Sequence, residues 1–263
     1  MSRSRRGATG VLHVGTSGWA YRGWTRFYPR DLKPAGYLAW YSRQFATVEV
    51  NTSFYHLPLA STYHKWASET KAEFLFALKL SRYMTHIKKL KGVKMATRRF
   101  LSRALGLGTK LGPLLIQLPP KLHADPKRLA RFLKSLESVA EGLGAQRLRA
   151  AFEFRHESWF VSEEVLATMR AHRAALVFPQ SSRYPYPANE PRTAPWLYLR
   201  FHGPRELFAS KYGRKGLLPW ATKIAAWLDE GSNVYAYFNN DAGGHAPEDA
   251  RLLLDLVREA REK

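Results

Sequence analysis

Cysteine is absent from this 263-residue sequence, which excludes disulfides, thiolate metal ligands and cysteine nucleophiles together. No apolar run approaches the roughly 18 residues that a membrane span requires. The N-terminal stretch MSRSRRGATG also lacks the apolar segment of a secretory signal. These absences predict a cytoplasmic protein without a membrane partner. The composition predicts a basic, flexible tail over residues 1–10 and a single barrel domain over residues 11–263.

Acidic residues are scarce in the first part of the chain. The sequence carries 42 Lys and Arg against 21 Asp and Glu, a formal net charge of +21, and residues 1–110 hold 20 of these cations against 4 acidic residues. No Asp or Glu lies between Glu73 and Asp125, whereas 11 Lys and Arg do. Such a stretch attracts polyanions, which favours an anionic ligand, with DNA or RNA as candidate partners. A general Lys/Arg bias or a solvated helix face is the alternative, and the oligomeric state is not predicted.

Short apolar runs rich in β-branched and aromatic residues recur along the chain, and helical patterns separate most of them. The runs predict eight strands near residues 11–15, 46–51, 73–79, 113–118, 149–155, 174–179, 197–202 and 233–239. Helices are predicted from Pro34, from about Leu59, and over residues 92–107, 126–141, 162–173, 219–230 and 246–262. The segment QSSRYPYPANEPRTAP, residues 180–195, contains four prolines and predicts a loop.

Strands that alternate with helices over about 250 residues predict an α/β fold, a single (β/α)8 TIM barrel. The proline-rich loop predicts that its sixth crossover helix is missing or shortened. A doubly wound open sheet is the alternative. It is disfavoured because the GTSGW stretch after the first strand is not a glycine-rich phosphate-binding motif.

Polar residues two positions apart end four of the predicted strands. Side chains two apart share one face of a strand, and the carboxyl ends of barrel strands form the active face. A polar group facing the helices would be buried without partners, so these side chains are predicted to converge on one mouth. Taken alone, each pair could be a structural salt bridge or contain a buried histidine with no functional role. Four such pairs at corresponding strand ends favour a functional pocket. The pairs are Glu49 with Asn51, Glu153 with Arg155, Arg200 with His202, and Asn239 with Asp241.

Five of these polar residues are predicted to be catalytic, because carboxylates and imidazoles suit acid/base chemistry or glycosidase-type chemistry. They are Glu49, Asn51, Glu153, His202 and Asp241. Cations, amides and aromatic rings near the strand ends are predicted to bind the substrate or an anion. They are Ser17, Trp19, Tyr55, Lys79, Arg82, His86, Lys88, Gln117, Arg155, Arg200 and Asn239.

No metal ligands are assigned and no cofactor is predicted, although a divalent Mg, Mn or Zn ion stays an alternative. Carboxylates and imidazoles of the mouth, with His245 nearby, are suitable ligands for such ions. Against a metal, no compact motif such as HExxH is present, and Lys79, Arg155 and Arg200 would compete for the same carboxylates. A bound anion is therefore preferred.

Seven motifs in order resemble the DUF72 family of YecE-like proteins: VGTSGWAYRGW…FYP, FATVEVNTSFYHLP, FLFALKLSRYMTH, LGPLLIQLPP, AFEFRHESW, YLRFHG and VYAYFNND. The resemblance runs from about Leu12 to the last predicted helix. It implies a TIM barrel of uncertain biochemical role. One departure is the end of the sixth strand, where the family pattern leads us to expect an aspartate and this chain has Phe178-Pro179-Gln180.

The favoured function is an anion- or nucleic-acid-handling hydrolase that cleaves phosphodiesters with the carboxylate, His and Arg cluster at the barrel mouth. The loop after the third strand interleaves cations with Tyr83, which suits phosphate contact and base stacking. One alternative is an enzyme that acts on a small sugar or sugar phosphate. Another is a non-catalytic nucleic-acid-binding protein.

Overall fold

Eight parallel strands form one sheet in the computed structural model, which describes residues 9–145 and 148–262. The strands are β1 (Leu12–Thr16), β2 (Thr47–Val50), β3 (Leu75–Lys79), β4 (Leu111–Gln117), β5 (Ala150–Glu153), β6 (Ala175–Gln180), β7 (Trp196–Phe201) and β8 (Asn233–Phe238). Their order is β1-β8-β7-β6-β5-β4-β3-β2, and a bridge from Ser17 to Glu49 brings β1 back to β2. The predicted TIM barrel is confirmed. Residues 1–8 of the predicted basic tail lie outside the described residues.

Helices surround the barrel. They are α1 (Tyr37–Gln44), α2 (Thr52–Tyr55), α3 (Ala60–Ser68), α4 (Lys94–Ala104), α5 (Pro126–Glu141), α6 (Glu163–Ala171), α7 (Gly213–Asp229) and α8 (His245–Arg261). Residues 181–195 between β6 and β7 contain no helix, which confirms the missing sixth crossover helix. Within residues 9–145 and 148–262, no helix has both the length and the apolar character needed to cross a membrane.

The start of α7 differs from its prediction. Proline favours a first helical turn, so the sequence predicted a helix from residue 219, but α7 begins six residues earlier and holds Pro219 within it. The carboxylate of Asp249, on α8, accepts hydrogen bonds from the amides of Tyr212 and Gly213 at 3.0 and 3.1 Å. A side chain from another helix therefore fixes this start, which no local pattern could show.

Inward-facing side chains fill the barrel in layers. Small residues on one side, Ala77, Ala151 and Ala175, face Tyr198 and Tyr237 on the other. Large residues opposite small ones fill a tapered interior without voids. Because side chains alternate, Ala77, Ala151, Tyr198 and Tyr237 are followed on the inward side by polar residues of the mouth, whereas Ala175 is followed by the apolar Val177. The barrel interior thus delivers these polar residues as its top layer.

The seam between β1 and β2 depends on a glycine. A Cβ atom at Gly15 would lie 2.1 Å from the carbonyl oxygen of Thr47 and 3.1 Å from the Tyr41 hydroxyl. The Tyr41 hydroxyl also accepts a hydrogen bond from the Thr16 amide at 2.9 Å. The backbones of the two strands therefore approach each other more closely than any side chain at position 15 permits.

We expect Gly15→Ala to lower the free energy of unfolding by about 1–3 kcal/mol, the usual cost of forcing an extra carbon into a packed site. Urea unfolding measures this loss. Gly216→Ala is a matched control, because its Cβ would meet Tyr212 atoms only at 3.5 Å and beyond, and alanine suits a helix better than glycine. If Gly15→Ala were as stable as the parent, the contact between β1 and β2 would have space for a side chain at position 15.

Candidate active site at the barrel mouth

Two carboxylates and one guanidinium form the centre of the mouth. Glu49 on β2, Glu153 at the end of β5 and Arg200 on β7 are 0%, 0% and 1% exposed. Arg200 reaches across the barrel and contacts both carboxylates. The sequence predicted that these side chains converge but could not predict that one arginine would bind both.

Glu49 accepts four hydrogen bonds. Arg200 donates from Nε to Oε2 at 2.9 Å and from Nη2 to Oε1 at 2.6 Å. The Ser17 hydroxyl adds a bond at 2.6 Å and the Tyr198 hydroxyl adds one at 2.7 Å. Burial alone would raise the pKa of Glu49, but the Arg200 charge and these hydrogen bonds hold it below its ordinary value. Glu49 is therefore an ionised group with its acceptor sites occupied.

Glu153 is held in the same way by three groups. Arg200 donates from Nη1 to Oε2 at 2.5 Å, and Arg155 pairs with Oε1 through Nη2. Burial alone would raise the pKa of Glu153, but the charges of Arg155 and Arg200 keep it well below its ordinary range. His202 faces Oε1 through Nε2 at 3.2 Å, and its Nδ1 lies 3.2 Å from the Asn239 amide nitrogen. Burial and the Arg200 charge lower the pKa of His202 to about 4, so the ring is neutral near pH 7.

Arg155 is buried but only partly used. Its guanidinium carbon lies 3.3 Å from the centroid of the Tyr184 ring, and Nη2 also donates to Gln117 Oε1 at 3.4 Å. The residue is 6% exposed, yet Nε and Nη1 find no hydrogen-bond partner among the described residues. An unmade hydrogen bond at a buried donor costs free energy, more so for a charged group. These two nitrogens are therefore buried donors whose hydrogen-bonding capacity is unused among the described residues.

Lys79 ends β3 beside Arg155. Its Nζ donates to Gln117 Oε1 at 2.9 Å and lies 4.3 Å from the centroid of the Phe54 ring. Burial, together with the Arg200 charge, lowers the pKa of Lys79 to about 8. The lysine and Arg155 thus share one amide oxygen as their acceptor.

Asp241 follows β8 and differs from the two glutamates. Its Oδ1 is buried and has no hydrogen-bond partner among the described residues. Burial raises the pKa of Asp241 well above its ordinary value, and the Glu49 charge raises it further. The mouth therefore shifts the pKa values of its carboxyl groups in opposite directions, down for the two glutamates and up for Asp241.

The remaining predicted residues lie around this centre rather than in it. Asn51 precedes α2, half-buried, and its Oδ1 has no partner within the described part of the chain. Trp19 packs edge-on against Trp66 with ring centroids 5.1 Å apart, and Tyr55 is 70% exposed. The structure brings these three to the rim without contacts to the carboxylates.

The cationic loop after β3 is also at the rim. Arg82 and Lys88 are exposed, and Lys88 Nζ lies 5.9 Å from the centroid of Tyr83, which is 47% exposed. The His86 Nδ1 lies 2.9 Å from the Thr85 hydroxyl. Burial and the nearby Lys79 charge lower the pKa of His86 to about 4. The loop therefore presents its charge on exposed cations and not on the histidine.

Two contacts of the centre were missed at the level of sequence. Tyr198 lies two residues before Arg200 on β7, so strand alternation could have placed it in the same inward row. Tyr184 lies in the proline-rich loop, where no periodic signal exists. Gln180, at the end of β6, accepts a hydrogen bond from the Tyr212 hydroxyl.

A metal would find few free ligands in this arrangement. Within residues 9–145 and 148–262, no three His, Asp or Glu side chains are grouped so that they could hold an ion. Both glutamates are already bound to arginines. The buried atoms around the mouth that find no partner within the described ranges are two N–H groups of Arg155 and the Oδ1 atoms of Asn51 and Asp241.

Comparison with known proteins places the chain in context. The sequence profile of the family described as "Protein of unknown function DUF72" matches residues 13–263. Two relatives are the UPF0759 proteins YunF of Bacillus subtilis, 24% identical, and YecE of Escherichia coli K12, 23% identical. Each alignment covers 94% of this chain, with 95% of YunF and 93% of YecE.

Solved structures agree with this assignment. A DUF72 family protein from Thermotoga maritima superposes with a TM-score of 0.77 at 26% identity, over 96% of this chain and all of that one. A DUF72 family protein from Enterococcus faecalis also reaches 0.77, at 19% identity, over 94% of this chain and 96% of that one. A glycoside hydrolase family 5 enzyme from Prevotella bryantii, at 9% identity and a TM-score of 0.52, shares the fold alone. This chain therefore belongs to the DUF72 family of TIM-barrel proteins.

Proposed function

We propose that the barrel mouth binds the phosphate group of an anionic substrate and that the chain hydrolyses a phosphate ester, with phosphodiesters of DNA or RNA as the first candidates. The observation that carries this proposal is Arg155, a buried guanidinium with two unpartnered nitrogens. A guanidinium N–H donates a strong, charge-assisted hydrogen bond to a phosphate oxygen. A phosphate oxygen would therefore supply the acceptors that the described protein atoms leave missing.

The charge balance of the mouth supports the same class of ligand. Three cations, Lys79, Arg155 and Arg200, lie against the ionised Glu49 and Glu153, and burial disfavours the charged form of the third carboxyl group, Asp241. Electrostatic interactions are stronger away from water, so a buried site with a net positive charge favours an anion over a metal cation. The exposed cations Arg82 and Lys88 extend this charge outward, as expected for a polyanion that continues beyond the mouth.

Hydrolysis in this site needs a proton donor for the leaving oxygen. In the proposed step water attacks phosphorus and the phosphorus–oxygen bond to the leaving group breaks. Asp241, whose carboxyl pKa is raised by burial, gives its proton to the departing oxygen, and the proton that the attacking water loses returns to the Asp241 carboxylate. Glu49 and Glu153 position Arg200 and Arg155, which neutralise the charge that develops on the phosphate. That Glu49 or Glu153 itself takes part in the chemical step remains a prediction.

We expect Arg155→Lys to weaken binding of inorganic phosphate at least about tenfold, because lysine cannot present two fixed donors. Calorimetric titration measures this affinity, and turnover of bis(p-nitrophenyl) phosphate should fall with it. Arg131→Lys, at an exposed position on α5, is the control and should change neither. Circular dichroism verifies that both variants are folded.

The nucleic-acid part of the proposal has its own test. Binding of a short single-stranded or duplex oligonucleotide should weaken steeply with salt, since counterions are released from the phosphates. Equal phosphate affinity of Arg155→Lys and the parent would refute the anion site. Phosphate binding without any oligonucleotide binding would instead restrict the ligand to small phosphate esters.

A further inference from the structure

Lys79 is a half-buried lysine whose amine has no carboxylate partner among the described residues. Two carboxylates, Glu49 and Glu153, share the mouth with it, yet none of the described acidic groups lies within 4.0 Å of its Nζ. Arginine side chains occupy both glutamates. The lysine is left with a neutral amide oxygen and an aromatic ring as its neighbours.

Other lysines with defined contacts have different surroundings. Lys211 pairs with Glu248 and Lys223 with Glu190, and both side chains are largely exposed. Lys110 donates to the carbonyl oxygens of Ala67 and Thr70. Such contacts keep an ammonium charged and fixed. The contacts of Lys79, an amide oxygen and an aromatic ring, fix the side chain, and burial outweighs what they and the two glutamate charges contribute to its charged form.

An amine of this kind is a nucleophile. Burial is the main reason that the pKa of Lys79 falls to about 8, and the nearby arginine charges contribute. A lysine desolvated beside other cations carries a substantial fraction of neutral amine near neutral pH, which is the form that attacks carbonyl carbon. The position is also ordered, because Gln117 and Phe54 both fix the end of the side chain.

The geometry connects this amine to the proposed phosphate site. Lys79 Nζ and Arg155 Nη2 both donate to Gln117 Oε1, at 2.9 and 3.4 Å. The amine and the guanidinium therefore lie next to each other, on the same amide oxygen. One small molecule that carries a phosphate and a second reactive group can reach both.

We propose that Lys79 forms an imine with the aldehyde or ketone group of a phosphate ester bound at Arg155. This inference rests on the proposed phosphate site and narrows its substrate class to phosphate esters that carry a carbonyl group. The amine lone pair forms a nitrogen–carbon bond, the carbonyl oxygen gains protons and leaves as water, and a protonated imine remains. Addition of water reverses the step, so neither an oxidant nor a reductant is required.

Reductive trapping tests the inference on the full chain. The probe is glyceraldehyde 3-phosphate, with sodium cyanoborohydride to convert the imine into a stable secondary amine. Intact mass and peptide mapping should show one principal adduct, located on Lys79. Its rate of formation should rise with pH around a midpoint near 8, and glyceraldehyde without phosphate should react at least about tenfold more slowly at this position.

Lys79→Arg keeps the positive charge but cannot form the adduct, so trapping at this position should disappear. Lys121→Arg, an exposed lysine in the loop after β4, should trap as the parent does. Adducts spread evenly over surface lysines of the parent protein would overturn the inference without any variant being needed. If the parent binds phosphate but shows that even pattern, only the imine is refuted; if it does not bind phosphate, the proposed function falls as well.

Discussion

Replacement of Arg200 by glutamine is expected to lower the free energy of unfolding by about 3–5 kcal/mol, the cost of removing one partner from a buried ion-pair network. Arg200 contacts Glu49 through two nitrogens and Glu153 through a third. Without it, Glu49 loses its cationic partner inside the barrel. Urea unfolding at pH 7, followed by tryptophan fluorescence, measures the change.

A surface pair provides the matched control for this substitution. Arg170 contacts Glu163 at 2.6 Å, but its side chain is 46% exposed, so Arg170→Gln should cost less than about 1 kcal/mol. Adding Glu49→Gln to Arg200→Gln should restore part of the stability, because the double variant no longer buries an uncompensated charge. An Arg200→Gln protein as stable as Arg170→Gln would show that the carboxylates do not depend on this arginine.

Acidification from pH 6.5 to pH 4 is expected to remove about 3 kcal/mol of stability through His202 alone, at 1.36 kcal/mol for each pKa unit. Burial, aided by Arg200, places the folded-state pKa of His202 at about 4, whereas the unfolded chain titrates near 6.5. Between these values the unfolded state binds more protons, so stability falls as the pH falls. His13, whose pKa burial also lowers to about 4, should add to the loss.

Unfolding free energies across pH 4–7 test this expectation. His202→Gln removes the titrating ring but keeps a polar side chain, so the variant should show a shallower pH dependence than the parent. His64→Gln changes an exposed histidine and should leave the slope as it was. If the unfolding free energy of His202→Gln depended on pH as steeply as that of the parent, the acid sensitivity would arise at other groups.

Strand alternation explains why so much of the mouth was predictable. Apolar runs located all eight strands, and the period of two placed Glu153 with Arg155 and Arg200 with His202 on inward rows. The four prolines before β7 identified the loop that replaces a helix. These predictions succeeded because they depend on local backbone geometry.

Pairing across the barrel was not predictable for a physical reason. Arg200 is 151 residues from Glu49 along the chain, and no spacing rule shows which carboxylate an arginine will bind. The stacking of Tyr184 on Arg155 and the hydrogen bonds from the start of α7 to Asp249 also join residues far apart in the sequence. The polar residues of the mouth could be listed from the sequence, but only the fold shows which of them pair with each other and which keep unpartnered atoms.

The loop that replaces the sixth helix has a consequence for how a ligand is received. It holds Tyr184 on the Arg155 guanidinium, while Tyr186 covers the sheet beside Phe178 and Trp220. Prolines restrict a chain before it folds, so this loop has few alternative conformations to lose. Arg155 is thus preorganised, and an incoming anion has little conformational entropy to remove from the protein on association.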